Sequence, residues 1–421
     1  MTDNRYKRTK FACYAAYFTM SSIFCLPPML FVTLRETFGI SYTLLGTLVL
    51  VNFCTQLTVD LIFTFFSKKF NVKAIVKVMP LITALGLVIY ALVPTLFPDI
   101  AYAGLVVGTV VFSVSAGFSE VLLSPMIAAI PSDNPQKDMS MLHSLYAFGV
   151  LFVVIVSTVF FALFTTASWM YLTLFFALLP VIASVLFFTS PMPDMDTSQS
   201  EASVAKSSKR TLGLVLCVAC IFFGSCAENA MSNWVSGFME NALGIDKSIG
   251  DILGLAMFAV LLGLGRIAYA KWGKNISKIL LFGMIGASAC YLVVGLVDNV
   301  ILAVIACFMT GLFTSMLWPG TLILMEEKLP SLGVGAYALM AASGDLGASV
   351  APQLMGVVAD SVAGSALGAE IGVAVGLTAE QVGLKAGMLV TSLFPILGIV
   401  VVLIIMNYFK PKKQESLLKT E

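Results

Sequence analysis

Glu120 is a carboxylate in the middle of a long apolar run, Gly117-Phe-Ser-Glu120-Val-Leu-Leu-Ser124-Pro125. Three more acids, Asp60, Glu228 and Asp345, sit in similar surroundings. An ionised side chain in hydrocarbon costs roughly 2.5–3.5 kcal/mol on insertion scales, so the four together would cost about 10–14 kcal/mol. Packing does not offset that, so these groups must be hydrated, paired or protonated. A carboxylate able to take up a proton near neutral pH can carry it alongside a solute. One that stays ionised can hold Na⁺ with neighbouring oxygens. Either chemistry belongs to a solute or ion route through a membrane.

Other polar residues accompany the acids. Asn52, Gln56 and Asp60 follow one another at i, i+4 and i+8, which puts all three within about 80° on one helix face. Ser113, Gly117 and Ser124 make a small stripe beside Glu120, and Glu228 is followed by Asn229, Asn233 and Trp234. Trp318-Pro319, Arg266 and Gln353 lie in later apolar runs, and His143 is the only histidine. Asn52, Gln56, Glu228, Asn229, Asn233, Trp234 and Trp318 are the candidate solute contacts. A Trp beside amides and acids suits a sugar, whose C–H face stacks on the ring while its hydroxyls bond the polar groups; ordinary packing is the rival for both tryptophans. His143, Arg266 and Asp345 are candidates for gating or structural roles. Asp60 stands between ion coupling and a gate with Asp345. No metal-ligand cluster is spelled out by spacing, although Na⁺ near Asp60 and Glu120 is compatible with the residues.

These residues need elements to position them, and composition supplies the class. Of 421 residues 59% are hydrophobic and 11% charged, against about 25% charged in soluble domains. A net charge of +1 gives no electrostatic case for nucleic acid. The eight cysteines all lie in apolar runs, where small buried packing is their ordinary use. Twelve segments reach the length of about 20 residues that a spanning helix needs: 11–37, 42–67, 73–96, 100–130, 138–164, 168–189, 211–242, 247–270, 276–297, 299–327, 334–361 and 385–409. With the N-terminus inside, every Lys and Arg except Arg35, Lys247 and Lys385 falls on the cytoplasmic side, as the positive-inside rule requires.

The expected fold is therefore an all-α membrane protein of twelve transmembrane helices in two six-helix pseudo-symmetric halves. Residues 1–189 form the first half, 190–210 a cytoplasmic linker rich in Ser and Pro, and 211–421 the second half. A weak internal echo supports the division: Phe70-Asn71 matches Trp272-Gly273, and Ser124-Pro125 matches Trp318-Pro319. Such repeats are an architecture of secondary transporters. Residues 361–384, rich in Gly and Ala, read as an outside loop or short surface helix, and Pro27-Pro28 as a kink in the first helix.

The motifs resemble a known family. Gly117-x-x-Glu120-x-x-x-Ser124-Pro125 resembles the Gly…Glu-x-x-x-Asn-Pro motif of the fucose/galactose/proton symporters. His143-Ser-Leu-Tyr-Ala-Phe148-Gly149 is similar to the stretch opening their fifth helix, and Lys68-Lys-Phe-Asn-Val-Lys73 to their loop after the second. Cys226-Ala-Glu228 with Trp234, Trp318-Pro319, and Pro352-Gln-Leu-Met-Gly356-x-x-x-Asp360 resemble their seventh, tenth and eleventh helices. The likeness is diffuse, spans nearly the whole chain in order, and places it in the major facilitator superfamily near sodium-dependent glucose transporter-like proteins. It implies cation-coupled import of a monosaccharide or similar solute, with Glu120 taking the proton, no cofactor beyond a coupling H⁺ or Na⁺, a monomer in the lipid bilayer, and residence in a bacterial inner membrane. The family pairs its glutamate with an aspartate in the first helix; here that region reads Cys25-Leu-Pro-Pro28. Coupling is thus expected at Glu120 with Asp60, or with a changed ion. The rivals are a proton-driven exporter of amphipathic compounds on the same fold and a membrane receptor that no longer transports. No nucleotide loop or nucleophile–base pair suggests an enzyme.

Overall fold

The computed structural model describes residues 4–66, 70–133, 135–193, 208–329 and 334–410. The side chains of some further helical residues, among them Ser124, Pro125 and His143, lie outside the described residues. The roles expected for those three are therefore not placed.

The described chain is helical, with no strand. Its first half holds α1 (Lys7–Met29), α2 (Phe31–Phe38), α3 (Tyr42–Phe66), α4 (Val72–Leu96), α5 (Ala101–Ala129), α6 (Pro135–Phe164) and α7 (Trp169–Phe188). The second holds α8 (Ser208–Gly237), α9 (Lys247–Asp251), α10 (Met257–Trp272), α11 (Ile276–Leu296), α12 (Val300–Thr314), α13 (Leu317–Lys328), α14 (Val334–Ala363), α15 (Ala366–Val375), α16 (Ala379–Thr391) and α17 (Leu393–Tyr408). Among the described residues ten helical stretches are long and apolar enough to cross a membrane, and the α1–α2 pair makes eleven. The remaining expected span falls on α6, whose apolar part runs from Phe148 to Phe164.

Each break has a local cause. The first span bends by 49° between α1 and α2, just after Pro27 and Pro28, and Gly39 at φ 66° ends it in the left-handed region that glycine tolerates. The expected span 299–327 is interrupted between α12 and α13, next to Pro319, which lacks the N–H needed to continue the ladder. Side-chain caps start other helices: Asn71 on α4, Asp246 on α9, Asn299 on α12, Ser365 on α15 and a Thr378–Gln381 capping box on α16. Residues 361–384, expected as a loop or short surface helix, hold the end of α14, the short helix α15 and the first turns of α16.

Alternate spans run in opposite directions, so the starts of α1 and α8 and the ends of α3 and α17 share one end of the bundle, called here the terminal end. Tyr42, Asn241, Lys247, Asp360 and Glu380 lie toward the other, the far end. Two close approaches set the geometry. A Cβ on Gly117 would come within 2.9 Å of Val59, so α5 and α3 lie nearly in backbone contact. Across the halves, a Cβ on Gly356 would meet the Tyr42 carbonyl at 2.3 Å, and one on Gly46 the Gln353 backbone at 3.0 Å. These place α3 directly against α14.

Candidate functional site

The two close approaches bring three of the four apolar-run acids together. Carboxylate oxygens of Asp60 on α3, Glu120 on α5 and Asp345 on α14 lie within 4.8 Å of one another. At 1.5 Å per residue the three lie roughly 9–16 Å inside the terminal end. Asp345 is 5% exposed, and its Oδ2 finds no hydrogen-bond partner among the described residues. Glu120 is exposed and Asp60 half-buried. Tyr17 of α1 lies within electrostatic reach of Glu120.

Charge limits what this cluster can be. At an effective dielectric of about 20, two unit charges at that separation repel by roughly 3.5 kcal/mol. Three full negative charges would cost about three times as much, before any desolvation. The cluster requires compensation, by protons shared among the carboxyls or by a cation held between them. Two of its members belong to the first half of the chain and the third to the second, so whatever compensates the charge also joins the halves.

The remaining expected residues separate into partly open and covered groups. Asn52 and Gln56 are buried and engage each other: Gln56 Nε2 donates to Asn52 Oδ1 at 3.0 Å, and Ser113 Oγ to the same oxygen at 2.6 Å. Asn233 is also covered and donates to Asn229 O at 2.8 Å. Glu228 and Asn229 keep part of their surface open. So does Trp318, whose ring occupies the place of a Cβ on Gly344, 2.2 Å from it, beside Asp345. Arg266, expected at the membrane edge, has an exposed side chain that reaches to Glu228. Its Nη2 lies 3.6 Å from Glu228 Oε1 and its Nε donates to Ser315 O at 3.1 Å. The length of the side chain permits this, and the Glu228 carboxylate supplies the reason.

Trp234 lies away from the acids, at the far end. It is 1% exposed, edge-on to Phe31 and Tyr42, with Nε1 donating to Pro352 O at 3.0 Å. Around it runs a set of ties between the halves that spacing did not reveal. Asp360 accepts from the backbone N–H groups of Tyr42 at 3.1 Å and Thr43 at 2.5 Å, so a carboxylate of α14 caps α3. Tyr42 OH donates to Glu380 and accepts from Asn241 Nδ2 at 2.7 Å. Arg35 donates to Glu380 at 3.1 Å, its guanidinium 4.1 Å from the Tyr42 ring centre. Lys247 donates to Met29 O at 2.7 Å and lies between Glu240 and Asp251, at 3.7 and 3.6 Å. The far end carries a polar cavity of about 440 Å³ lined by Arg35, Glu36, Gly39, Asn241 and Glu380. It is remote from the acid cluster. Asp360, Glu380 and Lys247 stand out in sequence as charges in otherwise charge-poor segments, but their spacing does not say which residues they meet.

The family model for the major facilitator superfamily matches residues 11–352, well over half of the chain. The chain belongs to the major facilitator superfamily. As a member of that superfamily it is a transporter and not an enzyme. No curated protein matches it significantly in sequence. Solved structures of this fold align over almost the whole chain. A bacterial homolog of the human lysosomal transporter Spinster, in an inward-facing and occupied conformation, is 12% identical with a TM-score of 0.75, covering 97% of this chain and 98% of its own. A D-xylose–proton symporter is 15% identical with a TM-score of 0.75, covering 93% and 97%. The Escherichia coli fucose:proton symporter is 13% identical with a TM-score of 0.58, covering 96% and 99%. At these identities the likeness is one of fold.

Proposed function

We propose that this superfamily member imports a small polar solute, a monosaccharide, by cation-coupled alternating access, with Glu120 and Asp60 as the coupling carboxylates. The observation that carries the reading is the acid cluster. A group of carboxylates gathered between two halves that must move past each other ties charge compensation to conformation, which is what coupling requires. Sugar symporters among the structures of the same fold support the solute class. The partly open Glu228, Asn229 and Trp318 are the contacts offered to hydroxyls and to a sugar C–H face, while Asn52 and Gln56 bond each other and tie α3 to Ser113 of α5, and Asn233 bonds back within α8. Both termini lie in the cytoplasm by the distribution of Lys and Arg, in the inner membrane of a bacterium, and the far end faces out.

Uptake into proteoliposomes tests this. A panel of radiolabelled hexoses and pentoses should show one accumulated uphill under a proton or Na⁺ gradient. Glu120→Gln should abolish accumulation by at least about 100-fold, an effect of the size seen when a group essential to a step is removed, and retain energy-independent counterflow. Uphill uptake by Glu120→Gln at the wild-type rate would remove the coupling role; no counterflow of any sugar would remove the solute class.

A further inference from the structure

Asp345 was legible from sequence as a gate or structural acid. Its position gives it a different part. The three carboxylate oxygens of Asp60, Glu120 and Asp345 are no more than 4.8 Å apart. Any three points with that limit lie within about 2.8 Å of a common centre. Oxygen ligands surround Ca²⁺ at about 2.3–2.6 Å, whereas Mg²⁺ demands about 2.0–2.1 Å and retains its water. Na⁺ has nearly the ionic size of Ca²⁺. A cation of this size therefore fits between the three side chains with at most a small rotamer adjustment, whereas the tightly held water of Mg²⁺ disfavours it in a site of three carboxylates.

A cluster of acids can be accidental, and a second observation bears on that. The Asp345 carboxylate reaches into the cluster, and its buried Oδ2 has no donor among the described residues. A buried acceptor left so costs about 1–3 kcal/mol, more for a charged group. Trp318, packed on Gly344, backs this stretch of α14. A hard cation would satisfy the oxygen; a further acid would not.

We propose that Asp60, Glu120 and Asp345 form one binding site for a hard, oxygen-seeking cation of the size of Na⁺ or Ca²⁺, with Asp345 as the ligand supplied by the second half. The inference rests on the coupling role of Glu120 and Asp60 and adds to it the class of ion and the third ligand. Because α3 and α5 belong to one half and α14 to the other, the site is complete only while α3 and α14 are together at this depth. The ion is held in that arrangement and loses a ligand when the halves part.

Binding to the purified full-length protein tests this directly, at fixed pH and without sugar, using ²²Na⁺ in one arm and ⁴⁵Ca²⁺ in the other. One of the two should bind saturably, one ion per chain, and raise the melting temperature. Asp345→Asn should weaken binding by about tenfold or more, since even loss of a ligand's supporting partner costs 10–100-fold. Asp345→Glu should restore most of it, and Asp298→Asn, an exposed loop carboxylate, should leave it unchanged. A correctly folded Asp345→Asn protein that binds as tightly as wild type would confine the site to the first half and overturn the proposal. Binding of neither ion by the wild type would overturn it too. Sugar uptake separates this from the proposed function: accumulation driven by a proton gradient in buffer free of both ions retires the site and keeps the transporter reading. Saturable, Asp345-dependent ion binding without uptake of any sugar does the reverse.

Discussion

Asp360→Ala probes the ties at the far end. Asp360 accepts from two backbone N–H groups of α3, at Tyr42 and Thr43, from across the junction of the halves. Loss of an N-capping side chain costs about 0.5–2 kcal/mol, and hydrogen bonds to a charged acceptor are worth about 1.5–3 kcal/mol. Water takes over the freed N–H groups once the far end opens, so the difference between the closed and open states lies where the two ranges overlap, about 1.5–2 kcal/mol. That is roughly a 10–30-fold increase in the population open at the far end. Val32 reports it: it is buried on α2 and faces Gly237 of α8, whose Cβ would lie 3.5 Å from it. A Val32→Cys protein treated from outside with a membrane-impermeant maleimide should label about tenfold faster when Asp360→Ala is added. Asp99→Ala, an exposed acid on the same end, should not change the rate. Equal labelling with and without Asp360, in protein of equal yield, would show that the cap does not hold the halves together.

Other perturbations follow from the same geometry. Gly356→Ala puts a methyl 2.3 Å from the Tyr42 carbonyl; overpacking of this kind costs about 1–3 kcal/mol, and both a lower melting temperature and faster Val32→Cys labelling are expected. Lys247→Met leaves Asp251, 1% exposed, without its cation; breaking a buried pair from one side costs about 3–5 kcal/mol, and adding Asp251→Asn should recover much of the lost thermal stability in a melting assay. Trp234→Phe should lower stability but leave sugar affinity in counterflow unchanged, because the ring is enclosed by Phe31 and Tyr42. The Lys385 ammonium beside Asp298 holds that exposed carboxyl below the usual range. A depressed folded value contributes stability above the unfolded value and loses it only as pH falls through the folded one, so Asp298→Asn should shift the melting temperature by the same amount at every pH from about 5.5 to 8.

The fold was legible because the forces that set it are local and one-dimensional. Runs of about 20 apolar residues and the placement of Lys and Arg specify spans without knowledge of neighbours. Glu120, Asp60 and Asp345 were legible one by one for the same reason, each being a charge where charge is costly. Their meeting was not. It depends on the register of α3 against α14, fixed by Gly46 and Gly356, residues whose importance is the absence of a side chain. Trp234 shows the converse limit: its neighbours in sequence are polar, yet its neighbours in space are Phe31 and Tyr42. Sequence locates the Cα of Arg266 near a helix end but not its partner, which its long side chain finds in Glu228. Asp360 and Glu380 act on Tyr42, more than 300 residues away in the chain, and spacing carries no signal at that range.

The contact of Gly46 with α14 sits far from the middle of its helix. Tyr42 lies four residues away and Asp60 fourteen, roughly 6 and 21 Å along α3. If the contact serves as a fulcrum, the arms are unequal by more than threefold. A tilt of about 10° carries Asp60 through roughly 3.6 Å, enough to take a carboxylate out of reach of a shared ion, and moves Tyr42 by only about 1 Å, within the give of a hydrogen bond. A lever of this shape lets the acid cluster register a rotation that the capped end scarcely feels.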